Sequence, residues 1–376
     1  MKYMGSKRAM LRNGLGEALD RAITDKGRFV DLFAGSAAVS WHVAQRYSIP
    51  VLASDLQQFS VALALGVLAR DRLSDSADWE SHWIAAAHRV ACADPLYEEA
   101  ERLQARLGHD SIVELAEEAR SLCNRSRSPF CRAYGGWYYS PLQAIALDSL
   151  RRTAGSTEGE DVAIASLIQA ASICAASPGH TAQPFKPTTR AASFLVEAWL
   201  KDVVALSQRA ARQIGSRHAL VRGAAVADDA LNVAATLSEG DLAFLDPPYS
   251  SVHYSRFYHV LEALARNQVG EVSGQGRYPE PSERPQSDFS VPTRAGDAFL
   301  KLMAVIANSG ASAMVTFPAG GASNRLSGAR VREISGDLFE IEEEKVSSRF
   351  STMGGDRLHR SARQDAEELI LTLRPR

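Results

Sequence analysis

"RFVDLFAGSAAVS", Arg28–Ser40, is a short apolar strand that runs into a glycine turn at Gly35 and then into a helix rich in small residues. "IPVLASD", Ile49–Asp55, reads as a second buried strand closing on an acid, and "FSVALALGVLA", Phe59–Ala69, reads as its helix. Strands alternating with helices predict a parallel, doubly wound α/β sheet. The alternation then stops. From about Asp71 to Gly215 the patterns are helical, as in "DVAIASLIQAASICAA" and "SFLVEAWLKDVVALSQRAARQI". Strand signals resume at "ALVRGAAV", "DLAFL", "SAMVTFP" and "EELILTLRP". The expected organisation is therefore one sheet domain over residues 1–70 and 216–376, interrupted by a mostly helical insertion over 71–215. Val269–Gly296, rich in Gly, Pro and charge, has no period and reads as a long loop, either functional or disordered.

A chain of 376 residues exceeds one average domain, and 45% apolar with 23% charged residues is the composition of an ordinary globular protein. The net charge of -2 advertises no polyanion partner, so any nucleic-acid surface must come from local clustering. The four cysteines show no metal-ligand spacing, and no metal site is expected. With no secretory signal and no apolar run long enough to span a bilayer, the expected location is the cytoplasm, with no membrane partner.

After the strand "LAFL" comes "DPPY", Asp246, Pro247, Pro248 and Tyr249. A residue before proline is pushed out of the helical region, and neither proline can donate to a neighbouring strand. The chain therefore leaves the sheet on a rigid elbow, where the Asp246 carboxylate and the Pro247 carbonyl can act as two fixed acceptors. Two adjacent acceptors suit an NH2 group, such as the exocyclic amine of a nucleobase. Drawing on both N–H bonds would push the nitrogen toward tetrahedral geometry and aim its lone pair at an electrophile. Tyr249 would give the base a stacking face, and the base must first leave its duplex.

Asp55, twenty residues beyond Gly35, is placed to accept from the ribose of an adenosine lying over the strand ends. Nicotinamide cofactors and S-adenosylmethionine both carry such a ribose. Ala37 and Ser40 stand where a pyrophosphate-binding turn needs further glycines, which argues against a dinucleotide.

Together these residues resemble the DNA adenine N6-methyltransferases of the group whose cofactor motifs precede the target-recognition region. "KYMGSK", Lys2–Lys7, resembles the family's N-terminal cofactor motif, "FVDLFAGSAAVS" its glycine turn, and "DPPY" is identical to its catalytic tetrad. The resemblance implies a Rossmann-like S-adenosylmethionine-dependent methyltransferase sheet acting on a flipped adenine in double-stranded DNA. It gives Asp246, Pro247, Pro248 and Tyr249 the target base. Tyr3, Lys7, Asp31, Phe33, Gly35 and Asp55 would surround S-adenosylmethionine, with Asp229, or nearly as well Asp228, reading its adenine amine. "DRLHRSARQDAEELILTL" resembles the closing helix and strand of these enzymes, and a cognate restriction endonuclease is a possible partner. If the turn demands positive φ at Ala37, alanine there would cost roughly 1 kcal/mol.

Six arginines against the single acid Asp148 lie between Arg120 and Arg152, interleaved with "AYGGWYYSPLQA". This mixture suits phosphate contact and base stacking by Arg125, Arg127, Arg132, Tyr134 and Tyr138. The alternative is a solvated arginine face beside a buried aromatic core. His180, Lys186 and Arg190 mark a weaker second loop, and Arg349, Arg357 and Arg360 a third. Two other functions stay open: a nicotinamide-dependent oxidoreductase and a catalytically silent DNA-binding protein.

Overall fold

The computed structural model describes residues 7–73, 78–157, 159–351 and 363–376, with backbone alone for 348–351 and 363–366. Among these described residues nine strands occur in chain order: β1 Arg28–Asp31, β2 Val51–Asp55, β3 Ala224–Ala227, β4 Asp241–Leu245, β5 Val272–Ser273, β6 Tyr278–Pro279, β7 Ser312–Pro318, β8 Phe339–Ser351 and β9 Arg363–Pro375. The chain forms two compact units. One comprises Leu73–Arg217 and Ser255–Arg284; the other comprises the segment ending at Arg72, His218–Tyr254 and Pro285–Arg376.

The second unit holds a seven-stranded sheet in the order β3-β2-β1-β4-β7-β9-β8. The first five strands of that order run parallel, and β9 is antiparallel to both β7 and β8. This is the Rossmann-like methyltransferase fold expected from the sequence. Central β4 is buried along its whole length and β7 at all but its last residue, which is why "DLAFL" and "SAMVTFP" are nearly unbroken apolar runs. One face of the sheet, with Val30, Leu245, Val315 and Leu371, forms a continuous core with Phe299, Met303 and Ile306 of the Ala295–Asn308 helix. The exposed edges are blunted differently. β3 is only four residues long, and β8 carries Glu340, Glu342, Glu343, Glu344 and Lys345.

The strand order reverses at β1 and β4, where Asp31 pairs with Phe244. Asp246 lies two residues past Phe244, so the two acids stand at the carboxyl ends of neighbouring strands, the position where open α/β sheets hold ligands.

The other unit is mostly helical. The Pro141–Ala154 helix starts on a capping box of Ser140 and Gln143, and the Glu160–Cys174 helix is buried on most sides. Residues 255–284, read from sequence as part of the sheet domain, belong to this unit. The reason is bonding: the Phe257 carbonyl accepts from the Thr181 hydroxyl at 2.8 Å, and the Leu264 carbonyl from Arg151 at 2.7 Å. The stretch 269–296 also has structure of its own, since β5 and β6 pair as a hairpin and the Tyr278 hydroxyl donates to the Ala182 carbonyl. Among the described residues no helix is long and apolar enough to cross a membrane.

Candidate active site

Asp246 sits at the elbow after β4 with its side chain 19% exposed. Its Oδ1 takes two donors: Lys7 Nζ at 3.0 Å and Thr316 Oγ1, from β7, at 3.0 Å. The same Lys7 ammonium lies 2.8 Å from Oε2 of Glu368, a 4% exposed acid on β9. Burial alone would pull the Lys7 ammonium below its ordinary range, but Asp246 and Glu368 outweigh it and leave it raised and charged. Burial pushes the Asp246 carboxyl up, Lys7 pulls it down, and Glu368 pushes it up again. Among the described residues, Asp246 Oδ2 and the Pro247 carbonyl accept no hydrogen bond.

The elbow is held from behind. Asn324 Nδ2 donates to the Pro248 carbonyl at 2.8 Å and to the Phe289 carbonyl at 2.9 Å, while Asn324 Oδ1 accepts the Leu326 N–H at 3.1 Å. All of this amide's hydrogen-bonding sides are used to fix the loop. Tyr249 is half-buried against the sheet core, and burial raises its hydroxyl to about 12. Phe33 packs edge-on against Phe289, ring centres 5.2 Å apart.

The glycine turn is tied to the second strand. Asp55 Oδ2 accepts the Gly35 N–H at 2.9 Å and Oδ1 accepts the Gln57 N–H at 2.9 Å. Burial raises the Asp55 carboxyl, and these two bonds oppose the rise. Gly35 has φ 51° and Ala37 has φ 57°, so the turn does demand a left-handed residue where alanine stands. Asp31, 1% exposed, accepts from Ser40 Oγ at 2.5 Å, and burial lifts its carboxyl to about 7, with Asp246 and Asp55 adding to the rise. Beyond β3, Asp229 caps the Ala230–Ala234 helix by accepting the Leu231 N–H, and Asp228 accepts from Asn232 Nδ2 at 2.8 Å. The Asp228 N–H donates to the Asp55 carbonyl at 3.1 Å, which brings this segment to the end of β2.

Lys7 pairs with Asp246, and Asp31 lies within electrostatic reach of both Asp246 and Asp55. Tyr3, Arg357 and Arg360 lie outside the described residues, as does most of the expected closing helix. Glu368, Thr316 and Asn324 were not anticipated. For Thr316 the sequence holds a signal, a hydroxyl between the apolar Val315 and Phe317 of a buried strand.

The residues expected to face DNA divide. Tyr134 and Tyr138 are 1% and 0% exposed, and no base can stack on rings whose faces are already covered. Tyr138 donates to both the Thr181 carbonyl at 2.6 Å and the Gly276 carbonyl at 2.9 Å, so it ties the helical unit together instead. For these two rings the buried aromatic core is the correct reading. Arg125 is exposed but paired with Glu99, and Arg132 is exposed while donating to the Ser126 carbonyl at 2.7 Å. Arg127 is exposed.

A mostly parallel sheet in this strand order, with acids at its switch point, is the Rossmann-like methyltransferase fold. Residues 3–85 match the family described as D12 class N6 adenine-specific DNA methyltransferase, and this match supports the adenine methyltransferase family for the chain. The matched segment contains Lys7, the glycine turn and Asp55, and ends before Asp246. No curated protein matches the chain significantly.

Proposed function

We propose that the protein transfers a methyl group from S-adenosylmethionine to the N6 amine of an adenine extruded from double-stranded DNA. The observation that carries this reading is the one-sided use of Asp246: Lys7 and Thr316 both bind Oδ1 and so turn Oδ2 toward a further donor.

The residues fit the cofactor. Among the described residues Asp31, Asp55, Asp246 and Glu368 gather near Lys7, and even with Asp31 half-protonated near pH 7 the acids outnumber that ammonium, which favours a cation and disfavours a pyrophosphate. The Gly35 N–H, which a pyrophosphate would need, is committed to Asp55. Asp31, Phe33, Gly35, Asp55 and Asp229 would hold S-adenosylmethionine, which when bound supplies an electrophilic methyl on a sulfonium centre.

Asp246 and the Pro247 carbonyl then accept the two N–H bonds of the adenine amine, and Tyr249 stacks on its ring. Positive charge grows on the amine nitrogen as the methyl transfers, and a carboxylate fixed in advance stabilises it without reorganisation. Lys7 acts through Asp246, keeping that acid ionised in a buried position, and Glu368 positions Lys7. Both are positioning residues.

Incorporation of labelled methyl groups into a duplex, with digestion to nucleosides, tests the reading. Wild type should yield N6-methyl-2'-deoxyadenosine and Asp246→Ala none, with S-adenosylmethionine binding kept within several-fold. Full incorporation by Asp246→Ala, or thermal stabilisation by a nicotinamide dinucleotide and none by S-adenosylmethionine, would overturn it.

A further inference from the structure

Within the helical unit two aromatic rings are each flanked by two arginines. The Trp137 ring has the Arg120 guanidinium 3.8 Å and the Arg277 guanidinium 5.2 Å from its centre. The Tyr278 ring has Arg256 at 4.5 Å and Arg284 at 5.7 Å. Arg277 and Tyr278 are consecutive, and Arg277 donates to the Ala133 carbonyl at 2.8 Å and the Arg132 carbonyl at 3.4 Å, which joins Arg132 to the group.

These charges are gathered without neutralisation. Among the described residues none of Arg120, Arg132, Arg256, Arg277 and Arg284 forms an ion pair, whereas Arg102, Arg106, Arg125, Arg152 and Arg212 of the same unit each face a carboxylate. Burial lowers the Arg120 guanidinium from its ordinary range, Glu117 opposes, and the like charge of Arg277 lowers it further. Arg284 Nε is buried and has no hydrogen-bond partner among the described residues.

The backbone is shaped to hold this arrangement. Arg277 has φ 51°, a conformation that costs a non-glycine residue energy. A Cβ on Gly136 would fall 2.7 Å from the Arg120 backbone nitrogen, and one on Gly276 would fall 2.4 Å from the Tyr278 ring. Strain, close approach and unpaired like charges together oppose the cluster unless an anion completes it.

We infer that this arginine and aromatic cluster is the surface that grips the phosphodiester backbone of the DNA duplex. The inference rests on the methyltransferase reading above and gives it a contact surface that the buried Tyr134 and Tyr138 cannot provide. A guanidinium over an aromatic ring keeps N–H donors beyond those given to backbone carbonyls, and phosphate oxygens accept such donors. The cluster positions the duplex without reading its sequence.

Fluorescence anisotropy of a labelled duplex, titrated at several salt concentrations with the full chain, tests this. The slope of log affinity against log salt should lose about 0.9 for each arginine removed, roughly 1.8 for a double variant. Arg256→Gln with Arg284→Gln carries the test, because Arg120 and Arg277 also brace backbone carbonyls. Arg120→Gln with Arg277→Gln is the second pair, read only if its thermal melt matches wild type. Arg102→Gln with Arg106→Gln, whose charges are already paired, should leave the slope unchanged. An unchanged slope in the Arg256 and Arg284 double variant, in a protein that still methylates DNA, would overturn this inference alone. A wild-type protein that methylates no duplex would instead overturn the functional reading beneath it.

Discussion

Lys7 Nζ lies between two carboxylates, 2.8 Å from Glu368 and 3.0 Å from Asp246, and belongs to the machinery of both. Lys7→Met would leave two buried acids with no cation. The expected cost is about 3–5 kcal/mol at neutral pH, measured by urea unfolding. That deficit should shrink as the pH falls, because the abandoned carboxyls hold protons more tightly in the folded state than in the unfolded one. Adding Glu368→Gln should restore part of the loss, and strict additivity of the two changes would refute the coupling.

Asp246→Asn retains the side-chain shape but replaces the anion. Turnover should fall by roughly 10²–10³, the usual effect of removing a group aimed at transition-state charge, while S-adenosylmethionine affinity moves little. Single-turnover methylation separates the two; equal losses in binding and turnover would argue for a damaged fold.

Asp31, raised to about 7 by burial, titrates near neutrality. A raised carboxyl means that the native state binds the proton more tightly, so its contribution to stability is full below about 4 and is lost as the pH rises to about 7. Asp31→Asn should flatten the stability curve in that window. Binding of the cationic cofactor at pH 7 should release a fraction of a proton, read by calorimetry in buffers of different ionisation enthalpy. A proton balance of zero would remove Asp31 from the cofactor's surroundings.

Ala37 holds φ 57° at the N-cap of the Ala38–Arg46 helix. Ala37→Gly should relieve that strain and stabilise the protein by about 0.5–1 kcal/mol, less whatever the unfolded chain gains in freedom. Destabilisation in urea would show that the buried methyl packs better than the strain costs.

Tyr138→Phe removes a hydroxyl that serves two buried carbonyls. A loss of roughly 1–3 kcal/mol is expected, with the salt dependence of DNA binding intact. A changed salt slope at unchanged stability would return Tyr138 to the DNA-facing surface.

Much of the sheet was legible because its inner strands bury both faces. β1, β4 and β7 appear as short apolar runs, and Asp246 follows directly from the prolines behind β4. β8 was missed for the opposite reason: an edge strand of Glu and Lys looks like a solvated segment, and only its register with β9 makes it a strand. Glu368 was hidden because its partner Lys7 is 361 residues away, a pairing that no local pattern records. The grouping of arginines on Trp137 and Tyr278 was hidden for the same reason. Arg277 and Tyr278 come from a stretch that sequence alone describes as loop, and only folding sets them beside Arg120 and Trp137.

Among the described residues the acids near Lys7 outnumber it, and for the proposed cofactor this would create a difference between what enters and what departs. A donor that arrives as a sulfonium departs as a neutral thioether, so the field that drew it in no longer retains it. Turnover in such a pocket would be self-clearing, with the spent nucleoside dissociating more readily than the fresh one.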